Sequence, residues 1–312
     1  MKKTKYITDA AMITAVMAVL LLLNNMTSGL LVVNLSFLLP VPISIYGLKH
    51  DYKKAILPAV STIVISLIIN WLIGLLYVLP SAIISIIYVV VMNKFTGKTG
   101  IKLSIMFIGS LIVNVLTTVI FSKALFGYTI IEDTLLVANG TIDLLAQFGL
   151  SNDLINNTLA TILVSVIPAI IAINSLMESI ITYLIISILA QRILKIDLGG
   201  NILTINIKVP AIITYICLPL SLVSVFFIGD LIGYETFGVT QVIITIGLNM
   251  LVLLSLAYLI EAIVVLSLYF TRMQKRYLMI VSLLILFIMP LLLVIIGFVD
   301  SIFNLKNKIL LK

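Results

Sequence analysis

Charge is what this chain has least of. Only 10% of its 312 residues are Asp, Glu, Lys or Arg, and it has one His, one Cys and one Trp. A soluble domain keeps its charged residues on a hydrated surface, and this chain has too few to make one. The single cysteine, Cys217, excludes an internal disulfide and lies in an apolar run, where it reads as a small packing residue. The lone His50 has no second His, no Cys and no pair of carboxylates near it in sequence, so no metal site is expected. No G-x-x-x-x-G-K-[ST] loop occurs, which excludes ATP hydrolysis by that machinery. Neither G-x-S-x-G nor H-E-x-x-H is present, and nothing in the sequence points to an enzyme or a cofactor.

What the chain has in excess is apolar sequence. The hydrophobic fraction is 62% and the mean hydropathy is +1.31. Apolar runs of about 18 residues or more recur, the length needed to cross hydrocarbon. Outer-membrane barrels show roughly ten-residue alternating segments instead, and none occur. The expected class is all-α, a polytopic transmembrane helical bundle in the cell membrane, with the lipid bilayer as its first partner. The net charge of +7 does not argue for nucleic acid, because the basic residues sit in short loops between spans, as cytoplasmic loops do. Lys2, Lys3 and Lys5 precede the first apolar run with no small-residue cleavage site after it. They read as the cytoplasmic flank of an uncleaved first span.

The hydropathy pattern predicts spans at about 8–23, 30–48, 55–70, 75–93, 103–121 and 158–190. Basic clusters at Lys49–Lys54, Lys94–Lys102 and Arg192–Lys195 mark the cytoplasmic turns. Residues 123–156 carry Glu132, Asp133, Asp143 and Asp153, and their apolar residues recur as in an amphipathic helix lying on the outer surface. Further spans are predicted at about 209–229, 239–270 and 277–299. The last would put Lys306, Lys308 and Lys312 on the outer side, so the total is eight or nine.

In the second span, Pro40 and Pro42 interrupt FLLPVPISIYGLK (37–49). Each removes a backbone donor and disfavours a helical residue before it, so Leu39 and Val41 are expected to be extended or kinked. Such a break is tolerated in a membrane only where protein covers the freed carbonyls.

Ionisable groups inside spans are costly, at least about 2.5 kcal/mol each near the bilayer centre, and so mark candidate sites. Glu178 lies fourteen residues before Arg192, roughly 20 Å along a helix. Asn174 is four residues earlier, on the same helix face. Glu261 is eleven residues before Arg272, roughly 16 Å by the same rise. Each can also be read as a carboxyl kept neutral or hydrogen-bonded to a neighbouring helix for structural reasons, Glu261 more so than Glu178. Asn70, Trp71, Tyr77, Asn114 and Tyr183 supply further polar and aromatic groups for a small-solute pocket, although Trp71 also suits an interfacial anchor. On the first span, Ala11 and Ala15 lie four apart, as do Ala10, Thr14 and Ala18. Such small-residue ridges allow close helix contact, within one chain or with another.

The segments ITDAAMITAVMAVL (7–20) and LLPVPISIYGLKHDYKKA (38–55) resemble the YybS-like family of predicted bacterial membrane proteins. That family is similar to the substrate-binding S components of energy-coupling factor (ECF) transporters. The resemblance covers about 5–195 in the S-component sense and the whole chain in the YybS-like sense. It implies a six-helix unit over 1–195, with two or three additional helices over 196–312. It also implies a small solute bound from outside, and a first-helix A-x-x-x-A face, here Ala11 and Ala15, docked on a membrane coupling protein with ATPase subunits. Asn24, Asn25, Asn174 and Glu178 occupy places comparable to the solute site of such proteins. The extra helices depart from that plan. The alternatives are a membrane scaffold, such as an envelope or sporulation factor, and a membrane enzyme or lipid transporter using Glu178 and Glu261.

Overall fold

A computed structural model of the chain describes residues 2–27, 36–95, 98–121, 123–124, 127, 129–148, 153–196, 198, 211–231, 239–272 and 290–305. The described residues form helices and no strand, the outcome required where backbone groups cannot be satisfied by water. The helices are α1 (Lys2–Met26), α2 (Pro40–His50), α3 (Tyr52–Ile69), α4 (Trp71–Lys94) and α5 (Thr99–Phe121). They continue with α6 (Ile130–Gln147), α7 (Asp153–Leu189), α8 (Ala211–Leu231), α9 (Val239–Arg272) and α10 (Pro290–Phe303). Six of them (α1, α3, α4, α5, α7 and α9) are long and apolar enough to cross a membrane. The chain is therefore a multi-pass membrane protein. Most of the expected ninth span, 277–289, lies outside the described residues, as do 30–35 of the second.

The chain folds as two compact units, one of Met1–Ile130 with Ile171–Ile205 and the other of Ile131–Ile170 with Asn206–Lys312. The division falls within α7 and also after it.

In the first unit, the buried face of α1 is Ala10, Thr14, Met17, Leu21 and Asn24. Its alternating spacing of four and three is the seam of a helix packed along its length. The helix runs on through Asn24 and Asn25 to Met26, slightly past the expected end of the span at about residue 23. Leu39, Ile43 and Tyr46 of α2, Ala55 and Ala59 of α3, and Val78 and Ala82 of α4 complete this core. Lipid is as apolar as these side chains, so close packing rather than water exclusion holds the helices together. Gly47 shows how tight the fit is: a Cβ there would lie 2.6 Å from Val89 Cγ2.

The extended alternative does not hold: Leu39 has helical angles (φ −56°, ψ −38°) and Val41 lies inside α2. The helical ladder is nevertheless interrupted there, since residues 36–38 are helical, Leu39 is a turn and α2 starts at Pro40. Pro40 and Pro42 stand in the opening turn of α2, where proline's fixed φ is tolerated. Side chains cover carbonyls beside the break. The Phe37 carbonyl accepts from Thr182 Oγ1 (3.0 Å), and the Pro40 carbonyl accepts from Ser44 Oγ (2.7 Å) and Ser85 Oγ (3.0 Å).

His50 is less isolated than its sequence neighbourhood suggests. Asp9 Oδ2 lies 2.6 Å from both Lys49 Nζ and His50 Nε2, tying the start of α1 to the end of α2. No group of three metal-ligating side chains forms among the described residues. Lys102, expected in a polar loop, is buried in the first turn of α5 and donates to the Leu198 carbonyl.

In the second unit, α9 packs against both α8 and α10. Cys217, Leu218, Leu254, Tyr258, Val294 and Phe298 form its apolar centre. Pro168 breaks the hydrogen-bond ladder of α7, and Asn249 from α9 repairs it. The Asn249 carboxamide accepts from Ala169 N–H (2.7 Å) and donates to the Ser165 carbonyl (2.6 Å), the pair that an unbroken ladder would join directly. The amphipathic helix expected in 123–156 is present as α6, with Glu132 and Asp133 in its first turn, where the helix dipole favours them. It is mostly exposed, Leu135, Leu136, Leu144 and Phe148 included.

Candidate functional site: a buried carboxylate among three helices

The face of α7 that turns inward carries Ser175, Glu178, Ser179, Thr182 and Ile186. Its opposite face presents Ile170, Met177, Leu184 and Ile188. Glu178 is thus 5% exposed inside an apolar bundle, where a lone carboxylate would be expensive.

Polar side chains from two other helices converge on it. Ser110 Oγ donates to Glu178 Oε2 at 3.0 Å, and Asn114 Nδ2 donates to the same oxygen at 3.1 Å. Ser110 and Asn114 are four apart on α5, so one helix face supplies both donors. Tyr88 of α4 places its hydroxyl 2.9 Å from Ser110 Oγ and 3.3 Å from Ser179 Oγ. Asn114 Nδ2 also donates to Ser175 Oγ (2.9 Å). Ser175 and Ser179 donate in turn to the Ile171 and Ser175 carbonyls, the usual way a serine satisfies itself within a helix.

The hydrogen bonds have a direction. Ser110 gives its proton to the carboxylate, and the Asn114 amide is the second donor to Oε2. The single Tyr88 hydroxyl proton is shared between Ser110 Oγ and Ser179 Oγ, so Tyr88 ties α4 to the cluster without donating to Glu178 itself. All the donors are neutral, and no ion pair reaches Glu178 among the described residues. Oε1 accepts none of their hydrogen bonds.

Of the residues singled out in the sequence, the structure brings Glu178 and Asn114 together. It leaves out Asn174, which is exposed. Asn70 caps α4, its Oδ1 accepting from Ile73 N–H at 3.2 Å, and it donates to Asn25 Oδ1 at 3.3 Å. Asn24 nearby is fully buried, and its carboxamide has no hydrogen-bond partner among the described residues. Trp71 is 55% exposed, as an interfacial anchor would be. Tyr183 is buried among apolar residues of the first unit. Glu261 is fully buried, but it belongs to the second unit. Ala11 and Ala15 are exposed beside Met12, Val16 and Val19, so that ridge is not used within the described fold, whereas the Ala10–Thr14 ridge is. Sequence reading did not find Tyr88, Ser110, Ser175 or Ser179. The available signal was the repeated spacing of four: Ser110 with Asn114, and Ser175 with Ser179.

The family described as "Predicted membrane protein (DUF2232)" matches residues 15–301. No curated protein and no solved structure matches the chain. The chain belongs to this family of predicted membrane proteins.

Proposed function

For this member of that family, we propose a solute-binding transport subunit of the S-component kind, with Glu178 as the anchor for the solute. The observation that carries the reading is the convergence of Ser110 and Asn114, with Tyr88 behind Ser110, on one buried carboxylate oxygen while the other accepts none of their bonds. A membrane helix bundle with no further task for a charge is more cheaply built with serine or leucine there. A solute carrying an ammonium or another N–H donor supplies the missing half of the site. The reaction is binding, and the protein is not an enzyme in this reading. Energy comes from a separate membrane coupling protein with ATPase subunits, and the exposed Ala11–Ala15 ridge of α1 is the surface on which it docks.

Docking is tested by affinity purification of tagged protein from its native membranes. The wild type is expected to bring down a complex with ATPase subunits. An Ala11→Leu plus Ala15→Leu variant is expected to lose it while retaining its thermal stability, because both positions face away from the core. Equal recovery with the variant would remove α1 as the docking surface. A scaffold role in the envelope is the second reading. The short, mutually satisfying contacts at Glu178 Oε2 favour it, since they also lock three helices together without any ligand.

A further inference from the structure

The second unit contains a cavity that its own packing does not fill. It measures about 380 Å³ and lies between α8, α9 and α10, with Leu218, Leu222, Leu251, Leu254, Val294 and Phe298 in its wall. Three hydroxyls border it, and each is already engaged. Ser221 donates to the Leu218 carbonyl (2.8 Å), Ser255 to the Val252 carbonyl (2.8 Å) and Tyr258 to Thr214 Oγ1 (2.9 Å). Water inside would find almost nothing to bond, and a dry cavity of roughly 150 Å³ already binds small apolar molecules. The cavity falls in the usual range for ligand pockets, roughly 300–1,000 Å³, but lacks the few free polar groups that orient a polar ligand.

The cavity is also held open. The backbone of Gly297 lies directly against that of Tyr258, and the Tyr258 and Phe298 rings meet edge to face at 5.8 Å. Thr214 and Ser301 lie 2.7 Å apart and join α8 to α10 at the same end. Helices fixed at one end by backbone contact and buried hydrogen bonds cannot slide together to close the space. The medium around a membrane-spanning α9 is hydrocarbon.

We infer that this cavity holds an acyl chain of a bilayer phospholipid, seated between α8, α9 and α10. The inference does not depend on Glu178 or on transport. An acyl chain fits because it demands no hydrogen bond, matches an apolar wall and is present at high concentration on the open side.

The test uses full-length protein in phosphatidylcholine vesicles containing a trace of phosphatidylcholine with a diazirine at the end of one acyl chain. After photolysis, adducts are mapped by peptide mass spectrometry. Label is expected on 218–222, 251–258 and 294–298. The filling variant Leu254→Trp, or the milder Leu251→Phe, is expected to cut it at least roughly fivefold, as about 1 kcal/mol of lost packing would. Label on the lipid-exposed residues Met12, Val16 and Val19 of α1 should not change. Cavity labelling no stronger than on α1 and insensitive to both filling variants would overturn the inference. So would reaction of a Ser255→Cys variant with a membrane-impermeant maleimide, which would make the cavity wet. Failure of both reagents to reach the wall would mean that protein fills the space, and that too would overturn it.

Discussion

Replacing Gly297 with alanine is expected to destabilise this protein, although alanine is the better helix former. Intrinsic preference favours alanine over glycine in a helix interior by about 1 kcal/mol. Packing opposes it more strongly. A Cβ at Gly297 would stand 1.8 Å from the Tyr258 carbonyl oxygen, 2.5 Å from its carbon and 2.7 Å from its Cα. These are backbone atoms of α9, which cannot rotate away as a side-chain tip would. The helices must separate, losing the Tyr258–Thr214 hydrogen bond and the Tyr258–Phe298 ring contact. Overpacking of this kind costs about 1–3 kcal/mol and sometimes more, so the net effect is a loss, larger still for Gly297→Val. Gly140 on α6 is the internal control, since a Cβ there would meet nothing within 4 Å. Gly140→Ala is expected to stabilise by up to about 1 kcal/mol. Thermal unfolding in detergent micelles separates the two, and a neutral or stabilising Gly297→Ala would show that α9 and α10 do not touch there.

The second large effect is expected at Asn114, and it depends on what occupies position 178. A hydrogen bond to a charged group contributes about 1.5–3 kcal/mol. Side-chain hydrogen bonds between membrane helices average about 0.6 kcal/mol. Asn114→Leu should therefore cost near the upper range in the wild type and near the lower figure in a Glu178→Gln background, where Oε2 is replaced by a neutral amide oxygen. A double-mutant cycle reads the difference as a coupling of about 1–2 kcal/mol. Equal costs in the two backgrounds would mean that Asn114 faces an uncharged group, and the electrostatic reading of the site would fall. Ser110→Ala should behave in the same way, because its hydroxyl reaches the same oxygen.

Six of the expected spans were legible in the sequence because length and composition alone decide them. Those expected at 30–48, 209–229 and 277–299 correspond to no helix of that length and apolarity among the described residues. Helix ends were less legible. The first span was expected to end at about residue 23, yet α1 runs to Met26, since the carboxamide of Asn24, buried against other helices, does not stop a helix. Pro40 and Pro42 read as a break, and the helix is interrupted at Leu39, but Leu39 keeps helical angles because a new helix opens at once with the prolines in its first turn. In the candidate site, Glu178 and Asn114 stood out as polar residues in apolar spans. Asn174 was paired with Glu178 by its spacing of four, but the inward face of α7 follows Ser175 and Ser179 instead. The two readings differ by one residue, about a hundred degrees of helix rotation at 3.6 residues per turn. Nothing local to α7 sets that rotation. Tyr88 and Ser110, on α4 and α5, set it from the other side. The serines were hidden for a different reason. In a membrane helix a serine can satisfy itself on the carbonyl four residues back, so its presence carries little information until a partner is seen.

In the proposed function, Glu178 is half of a solute site. Native mass spectrometry of the protein purified from its own membranes tests this most directly, with wild type and Glu178→Gln compared. Glutamine keeps the shape and still accepts from Ser110 and Asn114, so the fold should survive while the charge is lost. The expected result is a small cationic molecule bound to the wild type and absent from the variant. The same bound molecule in both proteins, or none in either, would contradict it and leave Glu178 as a structural clasp among α4, α5 and α7.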